Sequence, residues 1–192
     1  MHTLIFATNN RNKVAEIQSL VGPNFEIIPL KEAGIEIDIP EPHDQLEANA
    51  LEKALTIFKM TNQACFSEDT GLEIAALDGA PGVKSARYAG ENSNAQANID
   101  LVLSKMAGIE NRTAQFRTVI CLIWENQTYY FEGICKGQIL NNMQGENGFG
   151  YDPIFVPDGA SKSFANMTME EKNTYSHRKK AVTQLFEFLG TV

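Results

Sequence analysis

The chain has 192 residues, of which 43% are hydrophobic and 21% charged, as is ordinary for a globular protein. Its net charge of −8, without any long basic stretch, argues against a nucleic-acid-binding protein, which usually carries a basic face. The longest apolar run, Val119 to Trp124, is far shorter than the roughly 20 residues of a membrane-spanning helix. The first residues also lack the cationic region of a signal peptide.

Cysteine usage favours a reducing compartment. Cys65, Cys121 and Cys135 are widely spaced, odd in number and set in apolar, strand-like segments, and none belongs to a CxxC pair. This pattern is typical of reduced, buried thiols. We therefore predict a cytoplasmic protein that forms one domain over residues 1–192, with no flexible linker and no membrane partner.

The first half of the chain alternates strand and helix patterns. Asp44, with Glu47 three residues later, is the predicted N-cap of the longest helix. The predicted elements are a strand at 4–8, a helix at 12–20, a strand at 25–30, a helix at 45–61, a strand at 64–67 and an extended segment at 72–76.

The second half predicts a helix at 95–106 and then two long strands, 114–124 and 128–135, joined as a hairpin at Asn126-Gln127. A strand-like segment follows at 154–156. Thr168 and Glu171 form a capping box, and the last helix begins near His177. Strands that alternate with helices and are followed by a hairpin indicate an α/β protein with a mixed sheet.

The segment Thr8-Asn9-Asn10-Arg11-Asn12-Lys13 connects the first strand to the first helix. Unpaired N–H groups and the helix dipole make a helix N-terminus a favourable place for an anion. Lys13 in the first turn opposes the dipole unless an anion answers it. Alternatively, Asn10 or Asn12 caps the helix and Lys13 points into water. The segment alone does not distinguish these two interpretations.

Three further segments combine charge or flexibility with predicted element ends. Glu68 and Asp69 are adjacent carboxylates that a divalent cation such as Mg²⁺ would relieve, although an ordinary acidic turn is the alternative. The segment 148–152 (GFGYD) lets backbone and aromatic rings approach a flat base, or is merely a loop with buried aromatics. His177 and Arg178 place positive charge at the start of the last helix, where they are either simply solvated or paired with an anion; two helix starts of this kind favour an anionic ligand more than one alone.

Five segments occur in the order TNNRNK, SEDTGLEI, GAPGVKSARYAG, GFGYDPIFVP and SHRKKA. Together they resemble the inosine/xanthosine triphosphate pyrophosphatase family, over nearly the whole chain from Leu4 to Leu189. Members of this family hydrolyse ITP, dITP and XTP to the monophosphate and pyrophosphate, which keeps deaminated bases out of DNA and RNA. The resemblance implies a two-lobed α/β fold around an elongated, twisted mixed sheet, with helices packed on it and a central nucleotide cleft. It also implies Mg²⁺ as cofactor and a homodimer.

The resemblance assigns roles to individual residues. Asp69 corresponds to the general base, and Glu41 and Asp69 correspond to the metal ligands. Asn49 and Lys53, one helical turn apart, would face the phosphates. The residues implied in catalysis are Asp69, Lys13, Lys53 and Glu68. The residues implied in substrate binding are Thr8, Asn9, Asn10, Arg11, Asn12, Lys13, Thr70, Phe149, Gly150, Tyr151, Asp152, Lys172, His177 and Arg178.

One departure from the family pattern concerns the start of the long helix. The family often has an acid directly before Asn49, where this chain has Ala48. Glu47 does not replace that acid, because one residue is about 100° around a helix. Two other functions stay open at this point: a pyrophosphatase for methylated or pyrimidine nucleotides, and a nucleotide-binding module without catalytic activity.

Overall fold

A computed structural model of the chain describes residues 2–190, which form seven strands and five α-helices. The strands are β1 (His2–Phe6), β2 (Phe25–Pro29), β3 (Cys65–Ile74), β4 (Pro81–Gly82), β5 (Thr113–Trp124), β6 (Gln127–Ile139) and β7 (Phe155–Pro157). The helices are α1 (Arg11–Gln18), α2 (Leu46–Thr61), α3 (Ala95–Lys105), α4 (Met169–Tyr175) and α5 (His177–Leu189). No helix within residues 2–190 has the length and apolar character needed to cross a bilayer.

The strands form one mixed sheet in the order β2-β1-β3-β5-β6-β7, with β4 paired to β3. β1 is parallel to both β2 and β3, while β4 is antiparallel to β3 and β7 is antiparallel to β6. The predicted α/β class with a mixed sheet is therefore confirmed.

The chain clusters into two compact units. Unit 1 comprises 1–69, 118–133 and 178–192, and unit 2 comprises 70–117 and 134–177. The strands β3, β5 and β6 contribute residues to both. Each unit has its own hydrophobic core and is described by itself.

In unit 1 the sheet is covered by helices on both faces, because alternate residues of a strand point in opposite directions. Leu4 and Phe6 pack with Ile17 of α1 and with α5, whereas Ile5 and Ala7 pack against α2. The predicted inward face of the last helix is confirmed, since the residues concerned are buried: Ala181, Val182, Leu185 and Leu189. The two faces of β3 therefore meet different helices.

In unit 2, α3 packs its buried residues, including Ile99 and Val102, against the second half of β3 and the adjoining parts of β5 and β6. Aromatic side chains fill the rest of this core. Phe116, Phe155 and Phe164 contact one another, with ring centroids 4.7 to 6.1 Å apart. This packing supports the loop that leads from β6 to β7.

Several local predictions need correction. Asp44 does not cap α2, whose N-cap residue is Gln45 without a side-chain cap hydrogen bond. The hairpin turn lies one residue earlier than predicted, at Glu125 and Asn126, whose φ values of 50° and 62° match the twist of the flanking strands. The Thr168–Glu171 capping box is confirmed.

The thiols behave as predicted. All three cysteines are free and buried, and burial raises the pKa of the Cys65 and Cys121 thiols to about 12.

Candidate functional site

The start of α1 resolves the two interpretations of the TNNRNK segment. Asn10 caps the helix, and its Oδ1 accepts hydrogen bonds from the backbone N–H groups of Asn12 and Lys13 at 3.0 and 3.3 Å. Lys13 does not simply point into water, because its Nζ lies 3.2 Å from Glu68 Oε1. The cation in the first turn of α1 is therefore paired with a buried carboxylate of the protein itself.

The segment around Glu68 and Asp69 is not a turn, because β3 runs without interruption from Cys65 to Ile74. In a continuous strand, neighbouring side chains point to opposite faces. Glu68 therefore lies on the α1 and α5 face, and Asp69 on the α2 face. The expected repulsion between the adjacent carboxylates is therefore reduced, because the two side chains point to opposite faces of the strand and have different neighbours.

The Glu68 cluster consists of Lys13, Glu16, Glu68 and Arg178. Arg178 donates from Nε to Glu68 Oε2 and from Nη2 to Glu68 Oε1, both at 2.8 Å, in a two-pronged pair. Its Nη1 donates to Glu16. Two cations thus face two carboxylates, and Arg178 itself is only 2% exposed. Such a pair is rigid, because two parallel hydrogen bonds fix both groups.

Charge balance determines the protonation states in the Glu68 cluster. Burial alone would raise the pKa of Glu68, but Arg178 and Lys13 outweigh it and hold that pKa far below its usual range. Burial would likewise lower the pKa of Arg178, and Glu68 together with Glu16 raises it instead. Both partners are therefore fully charged at neutral pH.

The Asp69 cluster consists of Glu41, Asn49, Lys53 and Asp69. Lys53 Nζ donates to three oxygens: Glu41 Oε1 at 2.5 Å, the Glu68 carbonyl oxygen at 2.8 Å and Asp69 Oδ1 at 3.2 Å. Asn49 Nδ2 donates to Asp69 Oδ2 at 3.3 Å. Asn49 and Lys53 do share a helix face, as predicted, and both carboxylate oxygens of Asp69 are engaged.

Asn49 also connects this cluster to the loop before α2. Its Oδ1 accepts from the His43 backbone N–H at 3.0 Å, and its Nδ2 donates to the His43 carbonyl oxygen at 3.1 Å. Glu41 lies two residues before His43, so the same asparagine holds the segment that bears Glu41 and the strand that bears Asp69.

Electrostatics distinguish this cluster from the first. Burial raises the pKa of Asp69, and Glu41 adds to that effect, while Lys53 and Lys13 oppose it. Burial would lower the pKa of Lys53, but Asp69 and Glu41 raise it, so the ammonium stays charged. Two carboxylates face one ammonium, which leaves a net charge of −1.

The donor set of the Asp69 cluster fits Mg²⁺. This ion typically takes one or two carboxylates and completes its shell with waters and substrate phosphates. Glu41 and Asp69 supply two carboxylates that both contact the Lys53 ammonium, and the cluster keeps an excess of one negative charge. Within residues 2–190, no three His, Cys, Asp or Glu side chains gather as a metal site of their own.

In unit 2, Asp152 organises the GFGYD loop. Its Oδ2 accepts from Lys172 Nζ at 2.6 Å and from the Phe149 backbone N–H at 2.9 Å. A Cβ on Gly148 would lie 2.1 Å from the same oxygen, so the approach requires glycine there. Lys172 Nζ also lies 5.1 Å from the centroid of the Phe149 ring, within the range of a cation–π contact. The loop is thus held by one buried ion pair.

The two aromatic residues of the GFGYD loop differ in what they offer a ligand. Tyr151 is buried, and its hydroxyl donates to the Ser85 carbonyl oxygen at 2.8 Å. Phe149 is only half-buried. Phe149 is therefore the ring that can stack on a flat base, and Tyr151 anchors the loop.

The other predicted residues are distributed as follows. Asn9, Arg11 and Asn12 are exposed in unit 1, where Asn9 Nδ2 donates to the Ile37 carbonyl oxygen at 2.8 Å. Thr8 Oγ1 accepts from the Asn10 backbone N–H at 3.2 Å. Unit 2 holds the half-buried Thr70 and Gly150 and the buried His177, which stacks on Phe116 with ring centroids 4.7 Å apart.

Sequence reasoning missed Glu16. This residue is 4% exposed and accepts from Arg178 across 162 positions of the chain. A weak signal was present, because Glu16 follows Lys13 by three residues and precedes Ile17, which is on the buried face of α1. An acid at that position of an amphipathic helix indicates a buried partner, but no local pattern identifies that partner.

Comparison with known proteins places these clusters in a family context. A sequence model of the Ham1 family matches residues 4–188. The chain is 48% identical to a dITP/XTP pyrophosphatase of Flavobacterium johnsoniae, over 97% of each chain. It is 50% identical to a dITP/XTP pyrophosphatase of Porphyromonas gingivalis, over 98% of each. The solved structure of a Staphylococcus aureus Ham1 protein matches with a TM-score of 0.89 at 37% identity, covering 98% of each chain.

Proposed function

Since the chain belongs to the Ham1 family, we propose that it is a hydrolase that converts ITP, dITP and XTP to the monophosphate and pyrophosphate, with Mg²⁺ as cofactor. This activity would remove deaminated purine nucleotides before a polymerase uses them. The names of the relatives support the substrate class, and the residues of the two clusters support the chemistry. The homodimer implied by the resemblance and the cytoplasmic location inferred from cysteine usage stay predictions.

The observation that carries the proposal is the meeting of Glu41 and Asp69 on one ammonium group, that of Lys53. A triphosphate brings several negative charges, and its hydrolysis depends mostly on positioning and charge neutralisation. Lys13 and Lys53 supply positive charge within unit 1, and the two carboxylates supply ligands for a divalent cation. A metal clamp beside cations is the arrangement that such a substrate requires.

In this mechanism Asp69 orients the attacking water and takes its proton. A carboxylate in water is a weak base, with a pKa near ~3.9. Burial raises the pKa of Asp69, which makes it a better proton acceptor. Lys53 and Asn49 hold its two oxygens in place, so the carboxylate is oriented before substrate arrives. A divalent cation, when bound, would lower the pKa of the water and neutralise charge on the phosphates.

Base selection is assigned to unit 2. A 6-oxo group accepts hydrogen bonds, whereas the 6-amino group of adenine leaves a buried donor unpaired, which is costly. Lys172 and the backbone N–H groups near Phe149 to Asp152 are the donors in our proposal. The resemblance implies that Arg178 binds substrate, but its guanidinium donates to Glu68 and Glu16, so we assign it a positioning role.

The test is a panel of nucleotides with product analysis. We expect kcat/KM for dITP, ITP and XTP to exceed that for ATP by at least about 100-fold, because adenine lacks the 6-oxo group; GTP, which has that group, is measured in the same panel. The released product is pyrophosphate, and EDTA abolishes its release. A preference for methylated or pyrimidine triphosphates would replace the proposed substrate class. Nucleotide binding without pyrophosphate release in the presence of Mg²⁺ would indicate a non-catalytic module.

A further inference from the structure

Lys53 makes an unusual set of contacts for a lysine assigned to phosphates. An ammonium group has three N–H donors, and here each finds an oxygen: Glu41 Oε1, Asp69 Oδ1 and the Glu68 carbonyl oxygen. The side chain is 7% exposed, so water does little to solvate the charge. The ammonium is therefore held by three oxygens, two of which belong to the candidate metal ligands Glu41 and Asp69.

We propose that Lys53 and the divalent cation bind Glu41 and Asp69 in a mutually exclusive way, so that the metal displaces the Lys53 ammonium from both carboxylates. The inference rests on the proposed function only for the identity of the metal ligands. Lys53 then serves two purposes. It keeps two buried carboxylates together, and once displaced it is available to a phosphate.

The charges in unit 1 explain why exclusion is favoured over sharing. An ammonium and Mg²⁺ on the same oxygens would repel each other at short range and low dielectric. The Lys53 position is also well satisfied, because its ammonium donates to Glu41 Oε1, Asp69 Oδ1 and the Glu68 carbonyl oxygen. A metal must therefore compete with a bound cation. Its apparent affinity is the intrinsic affinity multiplied by the fraction of molecules in which Lys53 has left the carboxylates.

The test compares Mn²⁺ binding in wild type, Lys53→Met and Lys13→Met in the absence of nucleotide. Binding is measured by the electron paramagnetic resonance signal of the free ion. Lys13→Met is the matched control, since it removes the same charge but from Glu68 rather than from the two ligands. We expect Lys53→Met to bind Mn²⁺ at least about ten-fold more tightly than wild type. Lys13→Met should tighten binding by no more than about three-fold, through general electrostatics alone.

Unchanged or weaker binding in Lys53→Met, or an equal gain in both variants, would overturn the exclusion. The readout uses no nucleotide, so it is independent of whether the proposed substrates are correct. If wild type binds no Mn²⁺ and Lys53→Met also binds none, the metal assignment to Glu41 and Asp69 fails together with the inference.

A second measurement on the wild type covers the case in which Lys53→Met does not fold. Buried, bonded ammonium groups exchange slowly with water, so ¹⁵N-lysine labelling should show signals from Lys53 and Lys172. Lys172 is paired with Asp152 and acts as internal reference, its signal being assigned by its loss in Lys172→Met. Mg²⁺ should abolish or shift the Lys53 signal alone. A Lys53 signal that persists unshifted at saturating Mg²⁺ would exclude displacement.

Discussion

Glu68 and Asp69 are neighbours in the chain, carry the same charge and are both buried, yet their surroundings have opposite effects. Glu68 meets Arg178 and Lys13, and its pKa is lowered. Asp69 meets Lys53 but also Glu41, and its pKa is raised. The direction of each side chain from β3 determines which helix supplies its partners. Two carboxylates one residue apart are thus given opposite pKa shifts, and in our proposal Glu68 has a structural role and Asp69 a reactive one.

The difference also shows where charge remains to be neutralised. The Glu68 cluster balances two carboxylates with two cations, whereas the Asp69 cluster sets two carboxylates against one. Balanced buried pairs add rigidity, and an unbalanced cluster attracts a further cation. If this distinction is correct, changes in the two clusters should have separable effects on turnover and stability.

The largest effect is expected on turnover, from Asp69→Asn. It should lower kcat by at least about 10⁴-fold, because the proposed base and a proposed metal ligand are lost together. Stability should change by less than about 1 kcal/mol. Removing an ionised group whose pKa burial has raised is favourable, and it offsets the new donor–donor contact with Asn49. Single-turnover kinetics measure the loss of turnover, and urea unfolding measures the change in stability. An unchanged kcat would remove Asp69 from the mechanism.

Arg178→Met is expected to act on stability. It removes the two-pronged partner of Glu68, which keeps only Lys13 of the two cations in the cluster, and it removes a donor to Glu16; removing one partner of a buried ion pair costs about 3 to 5 kcal/mol. Urea unfolding measures the loss. Arg112→Met is a suitable comparison, since Arg112 donates only to backbone carbonyl oxygens, those of Ile139, Met106 and Leu140. Its loss leaves those hydrogen bonds unmade but takes no partner from a buried carboxylate. Equal losses in both variants would show that the buried charges are not what makes Arg178 important.

Glu68→Gln should lose less stability than Arg178→Met, about 2 kcal/mol at pH 7, because Arg178 keeps Glu16 as partner. Folding lowers the pKa of Glu68, so the folded state binds fewer protons than the unfolded state and stability rises with pH. In wild type this contribution is present above about pH 4.5, the ordinary pKa, and is lost as the pH falls toward the lowered value. The pH dependence of unfolding in Glu68→Gln should therefore be flatter below pH 4.5.

The turnover of Glu68→Gln sharpens the comparison further. A positioning role predicts that kcat falls by no more than about ten-fold, far less than in Asp69→Asn. If kcat fell equally in both variants, the two carboxylates would have to act on the reaction together, and the distinction drawn from their opposite faces would fail.

Much of the architecture could be predicted because it depends on local patterns. The apolar periodicity of α5 and the Thr168–Glu171 capping box were predicted correctly, since helix faces and caps are set by residues a few positions apart. The prediction was wrong where a local signal had two meanings. Glu68-Asp69-Thr70-Gly71 has the composition of a turn, but the segment continues as β3 because burial and strand pairing outweigh that propensity.

By itself, the sequence determined the α/β class, the family and the residues that carry charge at the element ends. Only the tertiary structure decided how those charges are paired. Glu16 meets Arg178 across 162 positions, and Lys53 joins Glu41 to Asp69, because helices packed on opposite faces of one strand bring distant groups within hydrogen-bond distance. The protonation state and strength of a buried charge depend on such partners, and distance along the chain carries no information about them.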